Sequence, residues 1–181
     1  MGEWNKVSSK VLLRTPRFII RKDEVIRPSG KQAEMYVVQR KAAIFVAALN
    51  EKNEIYLIKL YRYMPQKDSW EVVAGGVDEN EDLLTAAKRE LIEEAGLKAK
   101  KWIDLGEMQI AGGMTDGICH IFVAEDLTQT EAIGQLEEGI EEIRPVSFAE
   151  AIKMIKSGDI TSSQTIAVLM RIGLYLNLVK V

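Results

Sequence analysis

The sequence predicts an α+β fold with a mixed sheet. Three observations lead there: apolar runs of strand period fill the first part of the chain, one run of helical period follows, and a second group of strands is closed by two helical stretches. VLLR at 11–14 and RFIIRKDEVI at 17–26 are the first apolar runs, ended by the turn signal RPSGK at 27–31. MYVV at 35–38 and AAIFVAAL at 42–49 read as strands, the second apolar throughout, as a strand buried on both faces should be. After the turn NEKN, IYLIKLYRY at 55–63 alternates as its partner, and SWEVV at 69–73 is a short strand ended by Gly75 and Gly76. From Leu83 the period changes. Leu84, Ala87, Leu91 and Ala95 recur about every four residues, Leu83 and Ile92 widen the stripe, and Gly96 is the C-cap. WIDLGEMQI at 102–110 and ICHIFVA at 118–124 are strands around the loop AGGMTDG at 111–117. EEIRPVSF at 141–148 leads into a short helix, AEAIKMIK, that stops at Ser157-Gly158, and TIAVLMRIGLYL at 165–176 is a final apolar helix.

A chain of 181 residues fits one domain, and 47% apolar with 28% charged residues matches a soluble globular protein. One cysteine, Cys119, excludes an internal disulfide framework and fits a reducing compartment. One histidine, His120, excludes a histidine-rich metal cluster, so oxygen ligands would have to hold any metal. Both are expected to serve as packing residues of their strand. No apolar run reaches the length of a signal core or a membrane span, which predicts a cytoplasmic protein without membrane contact. A net charge of −3 argues against a nucleic-acid-coating surface.

Residues 75–97 read GGVDENEDLLTAAKRELIEEAGL and hold seven acidic side chains. Glu90, Glu93 and Glu94 project from one side of the predicted helix, where like charges repel. A solvated acidic face is the plain alternative. The context favours a site: a Gly-Gly turn precedes the helix and the strand before it ends at Ala74, whose carbonyl could stand beside the carboxylates. Such a set of hard oxygens suits Mg²⁺ or Mn²⁺, and a cation would relieve the repulsion.

The stretch resembles the Nudix box: Gly, five residues, Glu, seven residues, Arg-Glu, an aliphatic residue, any residue, Glu-Glu, any residue, Gly and an aliphatic residue. Gly75, Glu81, Arg89, Glu90, Leu91, Glu93, Glu94, Gly96 and Leu97 fill every position, a coincidence on the order of one in a billion for ordinary residue usage. The resemblance implies a Nudix-type α/β/α sandwich with the box at 75–97, and hydrolysis of a nucleoside diphosphate linked to another group. It implies Glu90, Glu93, Glu94 and the Ala74 carbonyl as ligands of two or three Mg²⁺ or Mn²⁺ ions, with Glu81 and Arg89 holding the helix face and the ligand rotamers.

Beyond the box, KLYRYMPQKDSWEVVAGG is similar to the ADP-ribose and nucleoside-diphosphate-sugar pyrophosphatases at Tyr61, Arg62, Glu71, Ala74 and Gly75, as is the pattern from residue 141 onward. The resemblance divides the chain into a β-rich extension, 1–40, and a hydrolase domain, 41–181. It implies that the extension forms a homodimer and completes the nucleotide site. Arg62 is the candidate phosphate clamp, and Glu71 either binds a ribose hydroxyl or pairs with a nearby cation. The resemblance also implies that Gly75 binds substrate. Phe18, Trp4 and Tyr36 are candidates for base stacking, with a core role as the alternative. The loop 111–117 departs from the group, with Gly112 where a proline would fall and Gly117 where a glutamate is expected, so a broader activity including GDP-mannose is compatible with it. The general base has three candidates: Asp116, then Glu137 or Glu138 in the segment TQTEAIGQLEEG, expected to be flexible. A nucleoside triphosphate pyrophosphohydrolase and a non-catalytic ligand sensor are the alternative readings.

Overall fold

The computed structural model describes residues 2–179. The chain forms two compact units, one running up to Ala42 and including Met108–Cys119, the other comprising Ala43–Glu107 and the chain from His120 onward. Residues 1, 180 and 181 of the expected spans 1–40 and 41–181 lie outside the described residues.

The first unit is an antiparallel meander of β1 (Asn5–Arg14), β2 (Phe18–Ile26) and β3 (Gln32–Arg40). The two runs and the short strand expected from the sequence are thus three long strands. Thr15 sets the first turn, its hydroxyl oxygen accepting from the N–H groups of Arg17 (3.2 Å) and Phe18 (3.0 Å). Gly30, at φ +82°, sets the second, because a side chain disfavours that conformation. The loop 111–117 folds onto β3. The Val38 N–H donates to the Met114 carbonyl (2.9 Å) and the Thr115 hydroxyl to the Val38 carbonyl (2.7 Å).

The second unit contains two sheets. One has the order β10-β5-β6, with β5 at Ile55–Arg62, β6 at Lys67–Glu71 and β10 at Ile140–Val146. The other has the order β7-β4-β9-β8, with β4 at Ala43–Ala48, β7 at Val73–Gly76, β8 at Leu97–Gln109 and β9 at Ile118–Gln129. The last residues of β8 and the first of β9 run on into the first unit. Helix α1 (Leu83–Ala95) packs on β7 and β4, a single turn α2 spans Gln135–Glu138, and α3 (Phe148–Ser157) packs on α4 (Ser163–Tyr175). Residues Ile44–Leu49 are all buried. A strand alternates its side chains between faces, so both faces of β4 are covered, and α1 and α4 are the helices that touch it. Leu91, Leu169 and Ile172 are fully buried there, and each such side chain stabilises by about 1.5–3 kcal/mol. Lys98, Lys100 and Lys101 lie on β8, an edge strand, where charge discourages pairing with another chain.

The segment 69–73 is not one strand. β6 pairs with β5 in the first sheet and β7 with β4 in the second, so the chain changes sheets at Val72. The Val72 N–H leaves the ladder for the Thr165 hydroxyl (3.4 Å). Gly75 and Gly76 do not follow the strand that begins at Ser69; they are the last two residues of β7. This change of sheet connects Glu71, on one ladder, to Ala74 and Gly75 on another within four residues.

Candidate active site

Helix α1 begins where Asp82 caps it, its carboxylate accepting from the Thr85 N–H (3.0 Å), and ends at Gly96 in the left-handed region at φ 61°. An aspartate directly before the apolar-periodic run, as Asp82 is, is the sequence signal for this cap. The helix turns Ala86, Ala87, Leu91, Glu94 and Ala95 inward. Glu94 is therefore not on the edge of the apolar stripe but within it, only 4% exposed. Its carboxylate accepts the Ala74 N–H at 3.0 Å. Ala74 stands opposite Phe45 across the β7–β4 ladder yet gives its N–H to Glu94. In a strand the N–H and C=O of one residue point to the same side, so the Ala74 carbonyl also leaves the ladder toward that side.

Glu90 lies one turn before Glu94 and against Gly75. A Cβ at Gly75 would lie 1.9 Å from the Glu90 carboxyl carbon, so only glycine leaves that carboxylate its place. Gly75→Ala is expected to displace Glu90 while the fold survives, because the group in the way is the end of a flexible side chain. Turnover should fall about 10- to 100-fold with little change in thermal midpoint, measured side by side.

Arg89 ties the acidic face together. Its guanidinium donates to both oxygens of Glu81 (3.0 and 2.9 Å), to Glu90 (2.6 Å), to Glu93 (3.1 Å) and to the Gly76 carbonyl (2.9 Å). Glu81 in turn accepts the Asp78 N–H (3.0 Å). The Arg89 hydrogen bonds hold Glu81 below the ordinary carboxyl range, and its carboxylate partners, Glu81 first, raise Arg89.

Arg62 does not present a free fork. It forms a two-point ion pair with Glu71, Nε to Oε1 at 3.0 Å and Nη2 to Oε2 at 2.7 Å. That pair raises Arg62 against the opposing effect of burial. Of the two roles expected for Glu71, pairing with a cation is the one the geometry displays. The segment expected to be flexible is docked: the Thr130 N–H meets the Gly96 carbonyl (2.8 Å), the Gly134 N–H the Glu93 carbonyl (3.0 Å) and the Gln135 amide the Glu94 carbonyl (3.2 Å). Its turn α2 carries Glu137 and Glu138, both exposed. The Glu138 charge is felt by Glu90, Glu94 and Arg62. Asp116 is engaged within the first unit, by Arg21 (2.8 Å) and by the Arg40 N–H (3.2 Å). Trp4, which packs under Arg27, and Tyr36 are 55% and 57% exposed, so neither is a core residue; Phe18 is half-buried. Cys119 is buried, and burial pushes its thiol up to about 11. His120 Nδ1 is buried without a partner among the described residues.

Among the described residues no three carboxylate, imidazole or thiol groups converge as a ready-made cage. Arg89 draws Glu90 and Glu93 toward itself while Glu94 reaches to Ala74. The donors nonetheless fit a hard divalent cation: three carboxylates on adjacent turns, a carbonyl leaving its ladder, and a glycine that a side chain could not replace without evicting Glu90. Burial raises Glu90 and raises Glu94 to about 8, outweighing the Ala74 N–H, which favours the charged form. The sign of the consequence is fixed. Between about pH 4.5 and 8 the folded metal-free protein keeps protons that the unfolded chain has lost, so stability falls as pH rises through that window. Thermal midpoints in EDTA should drop by several degrees from pH 5 to pH 8, and saturating Mg²⁺ should flatten the decline. A midpoint that rises across this range would contradict the assignment.

The NUDIX domain model matches residues 39–168. The chain belongs to the Nudix family. It is 29% identical over 144 residues to an ADP-ribose pyrophosphatase of Bacillus subtilis, covering 79% of this chain and 78% of that one. A methanol dehydrogenase activator of Bacillus methanolicus is 30% identical over 145 residues, with 80% and 78% covered. A GDP-mannose pyrophosphatase of Escherichia coli is 28% identical over 159 residues, with 83% and 81% covered. Among solved structures, an ADP compounds hydrolase superposes with a TM-score of 0.85 at 18% identity, covering 98% of this chain and 96% of that one, a shared Nudix-like fold with a mixed sheet and helices. This Nudix protein is an enzyme acting on pyrophosphate bonds, in a family whose hydrolases require divalent cations. No helix among the described residues is long and apolar enough to cross a membrane.

Proposed function

We propose that this chain hydrolyses the pyrophosphate of ADP-ribose or a related nucleoside diphosphate sugar, GDP-mannose included, giving a nucleoside monophosphate and a sugar phosphate. The observation that carries this reading is the buried Glu94 at the Ala74 edge of β7, one turn from a Glu90 seated on Gly75 and oriented by Arg89. Mg²⁺ or Mn²⁺, as two or three ions on Glu90, Glu93, Glu94 and the Ala74 carbonyl, would supply charge neutralisation and water acidification. Arg89 keeps Glu90 and Glu93 at fixed rotamers, and Glu81 holds Arg89. Glu71 holds Arg62, whose remaining N–H groups are free to donate to a phosphate oxygen. Glu138 is the general base the electrostatics favour over Asp116, whose oxygens serve the arm. Glu138→Gln should then lower kcat about 10²- to 10⁴-fold.

The β-rich extension is the dimerisation arm in this reading. Every residue of β1 is exposed, and Val7, Val11, Leu12 and Leu13 are between 48% and 62% exposed on an edge strand, which a second copy would cover. The single cysteine supports a cytoplasmic location. The deciding experiment is a chromatographic assay with Mg²⁺ on ADP-ribose, GDP-mannose, UDP-glucose and the common nucleoside triphosphates. AMP or GMP appearing with an equal amount of sugar phosphate supports the proposal. Cleavage of triphosphates alone transfers the chain to the house-cleaning class.

A further inference from the structure

A helix leaves its last carbonyls without partners inside the helix. At the end of α1 a distant segment of the chain takes them up. The Gly134 N–H donates to the Glu93 carbonyl (3.0 Å), the Gln135 side-chain amide to the Glu94 carbonyl (3.2 Å) and the Thr130 N–H to the Gly96 carbonyl (2.8 Å). Two glycines let the backbones meet. A Cβ on Gly134 would stand 3.2 Å from the Glu93 Cβ and 3.3 Å from the Glu93 carbonyl oxygen, and one on Gly96 would stand 3.0 Å from the Thr130 carbonyl oxygen.

Apolar burial does not hold the turn α2 in place. None of its residues is buried, and Ile133 and Leu136 are 77% and 95% exposed. Its start carries no side-chain cap. The hydrogen bonds to α1 therefore set where the turn lies, and of those three only the Gln135 bond uses a side chain. Gln135 opens the turn and Glu138 closes it, about 4.5 Å further along the helical rise. The Glu138 N–H donates to the Gly134 carbonyl (3.1 Å), which makes the turn one hydrogen-bonded piece. The carbonyls that receive it belong to Glu93 and Glu94, whose side chains are candidate metal ligands. One short path thus fixes Glu138 relative to the carboxylate cluster. Glu138 is close enough for its charge to favour protons on Glu90 and Glu94.

We propose that Gln135 is a positioning residue: its amide, seated on the Glu94 carbonyl, holds Glu138 at working distance from the carboxylates of α1, a role that rests on the function and the general base proposed above. Misplacing a reacting group by about 1 Å costs about a hundredfold in rate, so one neutral hydrogen bond governs turnover far more than it governs the fold.

The test compares Gln135→Met and Gly134→Ala with wild type, using Mg²⁺ and the nucleoside diphosphate sugar that wild type cleaves fastest. Methionine keeps the length of glutamine and removes the donor. Alanine at position 134, where φ is −110°, disturbs the seat on Glu93 without straining the backbone. Each variant should lower kcat about tenfold, with KM and Mn²⁺ affinity within about twofold of wild type. In EDTA, the Thr130 and Gly134 amides of Gln135→Met should exchange with solvent at least about fivefold faster by NMR, a readout independent of turnover. On a Glu138→Gln background, Gln135→Met should lower kcat no further. A fall of full size on that background would place the action of Gln135 on the helix ligands instead and overturn the proposal. Wild-type kcat in Glu138→Gln overturns the base assignment and the positioning role with it. Wild-type kcat in Gln135→Met, beside a disabled Glu138→Gln, overturns the positioning role alone.

Discussion

Glu94→Gln is expected to abolish hydrolysis, by at least about a thousandfold, while leaving the fold as stable as before or more so. The two halves of this result have one cause. Glu94 is buried within the apolar side of α1, and burial raises its carboxyl to about 8. Near neutral pH the metal-free side chain therefore carries a proton, and glutamine copies its shape and neutral charge. The glutamine carbonyl can still accept the Ala74 N–H. What glutamine cannot supply is the negative charge that a divalent cation requires, and a loss of about 4 kcal/mol in transition-state stabilisation corresponds to the thousandfold drop. In EDTA at about pH 8.5 the variant should melt at or above the wild-type temperature. A variant that melts well below wild type there would mean that the Glu94 charge holds the fold together, contrary to the account.

Arg89→Met has the largest expected effect on stability. Its guanidinium is the shared partner of Glu81, Glu90 and Glu93, and the carboxylates of Glu81 and Glu90 are each only 12% exposed. Removing it strands the carboxylates of Glu90 and Glu93 on α1 and of Glu81 just before it. Buried pairs broken from one side lose about 3–5 kcal/mol, and with Arg89 itself 28% exposed we expect about 2–4 kcal/mol. For a chain of this length that lowers the thermal midpoint by about 5–15 °C. Mg²⁺ should recover part of the loss, because a cation can replace the missing positive charge, whereas added Na⁺ at the same ionic strength should not. Equal rescue by both salts would indicate general screening rather than a site. Arg89→Lys should be only modestly better than methionine, since an ammonium cannot bridge both Glu81 oxygens and reach Gly76.

These expectations rest on features that were legible in the sequence to different degrees. The box at 75–97 was legible in full, because it sets fixed residue types at fixed spacing from the end of β7 through α1. The apolar run at 42–49 announced a doubly covered strand, and β4 is one. The break at Val72 was not legible, because SWEVV has continuous strand propensity and only the Thr165 hydroxyl, far along the chain, draws Val72 out of the ladder. The Arg62–Glu71 pair was half legible: both residues were singled out, but nine residues of separation do not reveal that β5 and β6 set them on one face. The clasp of Asp116 on Arg21 and the Arg40 N–H, partners 95 and 76 positions apart in sequence, could not be read from local pattern. Nor could the docking of the segment 128–139 onto the end of α1, where its polar composition suggested mobility and three backbone-directed hydrogen bonds supply order.

The central claim is that the carboxylates of α1 and the Ala74 carbonyl are a divalent-cation site. Titration of Mn²⁺ into the purified protein near pH 8, followed by calorimetry and repeated on Glu94→Gln, tests it most directly. The account predicts saturable binding by wild type and binding at least about tenfold weaker in the variant. Mn²⁺ binding of equal strength in both proteins, or none in wild type, would contradict it.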